Sequence, residues 1–269
     1  MMKRIALPFL FALTIFSLPS VVHAQRRSPL ADAPAIRKRV ELRETRFELG
    51  AGFITSINQS FYHGMMVGAR LSFHLTDWLS ISAVGGFNVA NLSTGFRDRL
   101  LDALPAQAAP RPEPDFRAPS DTTANSGMNK TAFFGAGQLE FTPFTGKYSM
   151  AGKLFAHYDF YVFGGAAAMN FAAVNGGASA CSGTPAASGV CVASGMQFGG
   201  TGGLGFHSFF SNAVAFNAEL RNIFVRDNPA GRDVDGDQNV DTGDLTWMSH
   251  YMASFGVTIF LPTTASISP

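Results

Sequence analysis

Charge is scarce in this chain: Asp, Glu, Lys and Arg make up only 14% of its 269 residues. With 46% hydrophobic residues alongside, the composition excludes a disordered chain, which needs high charge and few aromatics. A basic stripe is also missing. The net charge is +1, and removing the two positive charges of Lys3 and Arg4 turns it to −1, so nucleic acid is not the expected partner. Two cysteines are too few for a Cys-rich zinc scaffold. Beyond residue 24 no apolar run reaches 18 residues, which leaves no helical membrane span. What is abundant is Gly, at 28, and Phe, at 26. The length suits one large all-β unit, and the question is where so much apolar surface goes.

Residues 1–24 have the form of a secretory signal peptide. Lys3 and Arg4 supply the positive start, Ile5 to Leu18 the apolar run, and Val22-His23-Ala24 a small-residue cleavage site before Gln25. No cysteine follows the cleavage point, so no lipoprotein anchor is indicated.

Beyond the leader, apolar residues alternate with small or polar ones, the period-2 signature of strands with two unlike faces. Between Trp247 and Leu261 one face carries Trp247, Ser249, Tyr251, Ala253, Phe255, Val257, Ile259 and Leu261; the other, mostly small or polar, carries Met248, His250, Met252, Ser254, Gly256, Thr258 and Phe260. The pattern recurs around Phe47–Phe53, Val67–Leu75, Leu79–Phe87, Phe133–Phe141, Tyr158–Gly164, Phe198–His207 and Val214–Phe224, for eight strands of about ten residues. In a soluble sandwich the apolar face is the core; in a membrane barrel it meets lipid and the polar face lines the lumen.

Export, strand length and loop asymmetry favour the barrel. Short links at Thr76–Trp78, Thr142–Lys153 and Ser208–Asn212 alternate with long ones at Asn88–Lys130, Ala168–Met196 and Val225–Asp244. The expected fold is all-β: an eight-stranded, up-and-down, antiparallel transmembrane β-barrel in the outer membrane. Its parts are a signal peptide (1–24), a periplasmic N-terminal arm (25–44), the barrel (45–262) and a C-terminal tail (263–269). The arm carries Arg26, Arg27, Arg37, Lys38, Arg39 and Arg43, and serves either as a contact for a periplasmic partner or lipid headgroups or as a plain lead-in.

Several segments resemble the outer-membrane β-barrel domain proteins of the myxobacterial type. They are Arg46-Phe47-Glu48-Leu49-Gly50, Gly68-Ala69-Arg70-Leu71 running to His74-Leu75-Thr76-Asp77-Trp78-Leu79, Gly152-Lys153-Leu154 with His157-Tyr158-Asp159-Phe160-Tyr161, and Gly256-Val257-Thr258-Ile259-Phe260-Leu261-Pro262. The resemblance implies an outer-membrane barrel, in contact with lipid and with other proteins of an envelope complex. It transfers no active site.

Eight strands enclose a lumen that side chains fill. The inward set holds Glu48, Arg70, His74, Glu140, His157, Asp159, His207, Glu219 and Arg221, whose mixed signs fit a closed salt-bridge network. The sharper alternative gathers His74, His157 and His207, with Glu140, around a zinc-like ion.

Three loops carry further signals. Pro105, Pro110, Pro112, Pro114 and Pro119 mark an extended spacer. Cys181 and Cys191, an even pair in an oxidising compartment, are expected to form one disulfide worth about 3 kcal/mol in the chain-entropy model. Asp233, Asp235, Asp237, Asn239, Asp241 and Asp244 follow the oxygen spacing of an EF-hand loop and resemble a dockerin calcium loop. Gln238 replaces the usual turn glycine, and a strand rather than a helix follows. The choice lies between a weak calcium site, at ~10⁻⁴–10⁻³ M, and a solvated acidic tip.

Enzyme motifs are lacking. Ser249 and His250 point to opposite faces of one strand, His63 with Ser60 has no acid nearby, and the Gly199–Gly205 run lies inside a strand. The expectation is a non-enzymatic structural, assembly or surface-interaction component, with a lipid-modifying enzyme or a narrow ion pore as alternatives.

Overall fold

The computed structural model describes residues 41–104, 124–125, 128–150, 154–173, 179–180, 191–192, 195–230, 234, 242–263 and 266–267. After a two-residue β1 (Glu41–Leu42) come β2 (Phe47–Ser56), β3 (Tyr62–His74), β4 (Leu79–Ser93) and a helix α1 (Gly95–Ala103). They are followed by β5 (Asn129–Met150), β6 (Leu154–Ala173), and the short β7 (Ser179–Ala180) and β8 (Cys191–Val192). Then come β9 (Gly195–Phe209), β10 (Val214–Asp227), β11 (Thr246–Leu261) and β12 (Ser266–Ile267).

Eight strands close into a barrel in the order β2-β3-β4-β5-β6-β9-β10-β11, every neighbour antiparallel, with β11 pairing back onto β2. This is the up-and-down barrel that the alternation predicts. Side-chain parity follows the sequence. Leu49, Val67, Leu71, Ile81, Leu139, Leu204, Leu220, Phe255, Val257 and Ile259 are exposed outside, whereas Glu48, Ser72, Glu140, Asp159 and His207 are buried inside. A Cβ at Gly203 would run into the Phe163 ring, and one at Gly205 into the Tyr161 ring, so glycine is required where the narrow lumen takes those aromatics.

Strands run further into the connections than the sequence reading has them: β6 continues to Ala173 and β10 to Asp227, and two links differ more. The stretch Thr142–Lys153 is mostly strand: β5 pairs with β6 as far as Met150 with Leu154, beyond the level where β4 begins. Pro143 signals a turn, but it falls at a register shift between Phe141 and Phe144, and a bulge accommodates proline without ending the ladder. The link Asn88–Lys130 is likewise not all loop. β4 continues to Ser93, and Thr94 then caps α1 by accepting from the Arg97 N–H at 3.1 Å.

At the short-turn end the chain enters through a tight turn. Asp77 Oδ1 accepts from the backbone N–H of Arg43 (2.6 Å) and Glu44 (3.2 Å), and Thr45 sits at φ 62°. β1 pairs with β12, joining the two ends of this barrel unit.

Candidate functional site: the lumen

The lumen is built in tiers. At the short-turn end Phe209, Ala215 and Phe260 form an apolar base. Arg43 lies over the Phe209 ring and ion-pairs with Asp159; Arg46 lies over Phe260 and donates to the carbonyls of Asn212 (2.8 Å) and Pro262 (3.0 Å).

Above the base, Arg70 is the hub of a charged tier. Its guanidinium meets Glu48 at 3.1 Å, Glu140 at 2.5 Å and Glu219 at 2.8 Å. It also donates to the Tyr161 hydroxyl at 2.7 Å and stacks on that ring. Arg221 pairs with Glu219 at 2.5 Å and donates to Gln138 Oε1 at 2.7 Å. Gln138 in turn donates to Glu140, and Asn217 to the Tyr161 hydroxyl, both at 2.7 Å. His207 faces Asp159 through Nδ1 (2.8 Å) and Glu48 through Nε2 (3.2 Å). Carboxylates only accept, so both ring nitrogens donate. His207 then supplies the fourth positive charge, with Arg43, Arg70 and Arg221, against Glu48, Glu140, Asp159 and Glu219.

Eight of the nine residues expected in the lumen network come together here. His157 does not: it is only part-buried, and among the described residues no hydrogen bond or ion pair joins it to the network. The three-imidazole metal site is likewise not formed. His74 and His207 both turn to Glu48, and among the described residues no group of three or more His, Cys, Asp or Glu is arranged to hold an ion. Sequence reasoning left out Arg43, Gln138, Tyr161 and Asn217. The last three lie on inward parity positions, and only their neighbours' charges single them out.

The next tier, toward the long loops, is apolar. Ile54, Met66, Phe134, Met169, Phe171, Ile223, Val225 and Met252 fill the bore together with Ala136, Ala167 and Leu245. Above them a small polar group, Asn129, Thr131, Asp227 and His250, is buried in turn. Phe61, Tyr62 and Met128 cover the mouth with Leu100 and Leu101 of α1. Arg97 of α1 stacks on Tyr62 and donates to its hydroxyl at 2.8 Å, tying the helix down. The lumen is therefore polar only in parts, not throughout.

The loop sites are mostly beyond view. Asp233, Asp235, Asp237, Asn239 and Asp241 lie outside the described residues. Asp244 is described and buried, and its Oδ1 accepts the Val234 N–H at 2.5 Å. Cys181 lies outside the described residues too; Cys191 is in β8, opposite Ser179. Residues 105–123, with the prolines, and 1–40, with the leader and most of the arm, are also outside them.

No family model matches the chain, so the myxobacterial resemblance rests on the segments quoted for it. No curated protein matches either. Among solved structures, the chain is similar to the N-terminal β-barrel domain of OprF from Pseudomonas aeruginosa, at 12% identity and a TM-score of 0.41, covering 81% of this chain and 98% of that one. The outer membrane protein OprG of the same organism gives 12%, 0.41, 81% and 97%. A major outer membrane protein from Thermus thermophilus gives 13%, 0.36, 80% and 99%.

Proposed function

We propose that the protein spans the outer membrane as a sealed, non-enzymatic barrel, an anchoring or assembly component of the cell envelope that displays its long loops outside. The observation that carries this reading is the apolar tier. A diffusion channel needs a continuous wetted path, and here a buried cluster of methionine, isoleucine, valine and phenylalanine from β2, β3, β5, β6, β10 and β11 lies between the charged tier and the long-loop mouth. The charged tier is itself paired rather than open.

The outer surface supports the membrane placement. Large apolar side chains are exposed along all eight strands, a cost in water that lipid removes. Aromatic residues stand at both rims. Trp78 packs edge-on against Phe141 at the short-turn end, and Trp247 stacks on Phe224 near the long loops, as interfacial girdles do. Short turns then face the periplasm.

The test is reconstitution of the folded, untagged chain into planar bilayers, with membrane fractionation of expressing cells. A heat-modifiable outer-membrane band with no conductance steps is expected. Discrete steps from a homogeneous preparation would replace the sealed component with a pore, and recovery in a soluble fraction would end the membrane reading.

A further inference from the structure

The polar group between the apolar tier and the mouth is unexplained by the sealed barrel, and it does not depend on the membrane placement. Asp227 is 1% exposed and His250 5%. An apolar cluster lies below them and the Phe61, Tyr62 and Met128 cap above. Burying a carboxylate between two such layers is costly unless a positive charge meets it. No lysine or arginine does among the described residues. Arg226, on the outward parity of the same strand, donates to the carbonyls of Thr242 and Leu245, and Arg97 is held by Tyr62, Asp98 and Asn125.

His250 Nε2 is buried and has no hydrogen-bond partner. It stands 3.6 Å from Asp227 Oδ2, too far for a hydrogen bond. Two donors of one tetrahedral ion bound at roughly 2.0–2.1 Å stand about 3.3–3.4 Å apart, so the pair needs to close by only a few tenths of an ångström to share an ion. Both residues line a partly open pocket of about 50 Å³, shared with Gln59 and Asn129, which has room for an ion with a bound water.

We propose that Asp227 and His250 are two ligands of a site for a single divalent ion of the zinc class. Asn129 and Gln59 complete it. Their amide nitrogens each donate one N–H, to Asp227 Oδ1 (2.6 Å) and Thr131 Oγ1 (2.9 Å), and among the described residues their carbonyl oxygens accept no hydrogen bond, which leaves those oxygens for the ion. The bond from Asn129, with the Asn228 backbone N–H, fixes the carboxylate as an outer-shell partner does around a metal. An imidazole donor selects zinc, copper or nickel over calcium, which takes six to eight oxygens. The ion supplies the missing counter-charge and rivets β10 to β11, β5 and the chain that follows β2, just beneath the cap.

The test is titration of the folded, untagged full barrel in detergent micelles with zinc chloride, in excess calcium chloride to saturate the acidic loop. The unfolding midpoint and bound zinc are read together, and heat-modifiable migration shows that each variant is folded. One equivalent of zinc and a raised midpoint are expected, with His250→Asn and Asp227→Asn each weakening binding at least tenfold and His63→Asn leaving it unchanged. A zinc response equal in parent and His250→Asn overturns the site, as does no response in the parent, which would make the cavity a water site only. Should either variant fail to fold, cobalt(II) added to the parent decides. A visible absorption band of four- or five-coordinate cobalt, removed by one equivalent of zinc, supports the site; its absence overturns it.

Discussion

Arg70 shows what a single residue carries in a narrow bore. Its guanidinium faces Glu48, Glu140 and Glu219 and lies flat on Tyr161, all away from solvent. Breaking a buried ion pair from one side leaves the partner charges uncompensated, at a cost of about 3–5 kcal/mol. Arg70→Met is therefore expected to lower the stability of the folded barrel in micelles by at least that much, measured as a drop in the urea midpoint. Adding Glu140→Gln is expected to restore most of it, because Arg70 is the only ion-pair partner of Glu140 among the described residues and the orphaned charge leaves with the arginine, while Glu219 keeps Arg221 and Glu48 keeps His207. A single variant as stable as the parent would mean that water reaches this tier. Parity alone places Glu48, Arg70, Glu219 and Arg221 in the lumen from the sequence. Tyr161 escapes the same logic because a tyrosine on an inward position looks like any other aromatic until its hydroxyl is seen between Arg70, Asn217 and Glu219. Asp227 and His250 escape it for another reason. The sequence places Asp227 in a long loop, and only the β10–β11 register, Ile223 opposite His250 and Asp227 opposite Thr246, brings them to one level.

At the scale of elements, strand existence and facing are written in the alternation, whereas strand ends are not. β5 continues nine residues past Phe141, and β4 runs to Ser93, because a ladder ends when partners run out and not at the first proline or asparagine. The entry turn into β2 depends on one side chain, Asp77, which holds two backbone N–H groups and so orients Arg43 toward Asp159. Asp77→Ala removes both bonds. The expected result is a loss of about 1–2 kcal/mol and faster proteolysis near residue 40, with the barrel strands still resistant. Unchanged cleavage would show that Arg43 is held from inside alone. The acidic loop before β11 is a separate element, anchored where Asp244 accepts from Val234. If its remaining oxygens bind calcium, millimolar calcium slows protease cleavage within 231–241 in the parent, and Asp235→Ala with Asp237→Ala removes that protection. No protection in the parent would leave a solvated tip.

For the whole molecule, the sealed-barrel proposal turns on which tier closes the bore. Two candidates lie in series: a charged layer that is compact because its ions are paired, and an apolar layer that offers water no hydrogen-bonding side chain. They respond differently to thinning. Arg70→Met weakens the fold but leaves Ile54, Met66, Met169 and Met252 in place, so a liposome carrying that variant is expected to hold its ion gradient as the parent does. Met66→Ala with Met169→Ala leaves the charges paired and opens a void in the apolar layer, where both side chains are fully buried. Each truncation is expected to cost about 2–5 kcal/mol in stability. If the apolar layer is the seal, the double variant lets a monovalent ion gradient decay faster than the parent while still running as a folded, heat-modifiable band. If the gradient decays instead in Arg70→Met, the paired charges are the barrier. The methionines then fill space above a gate set by ion pairing, and the short-turn end rather than the long-loop half becomes the part of the barrel that keeps it shut.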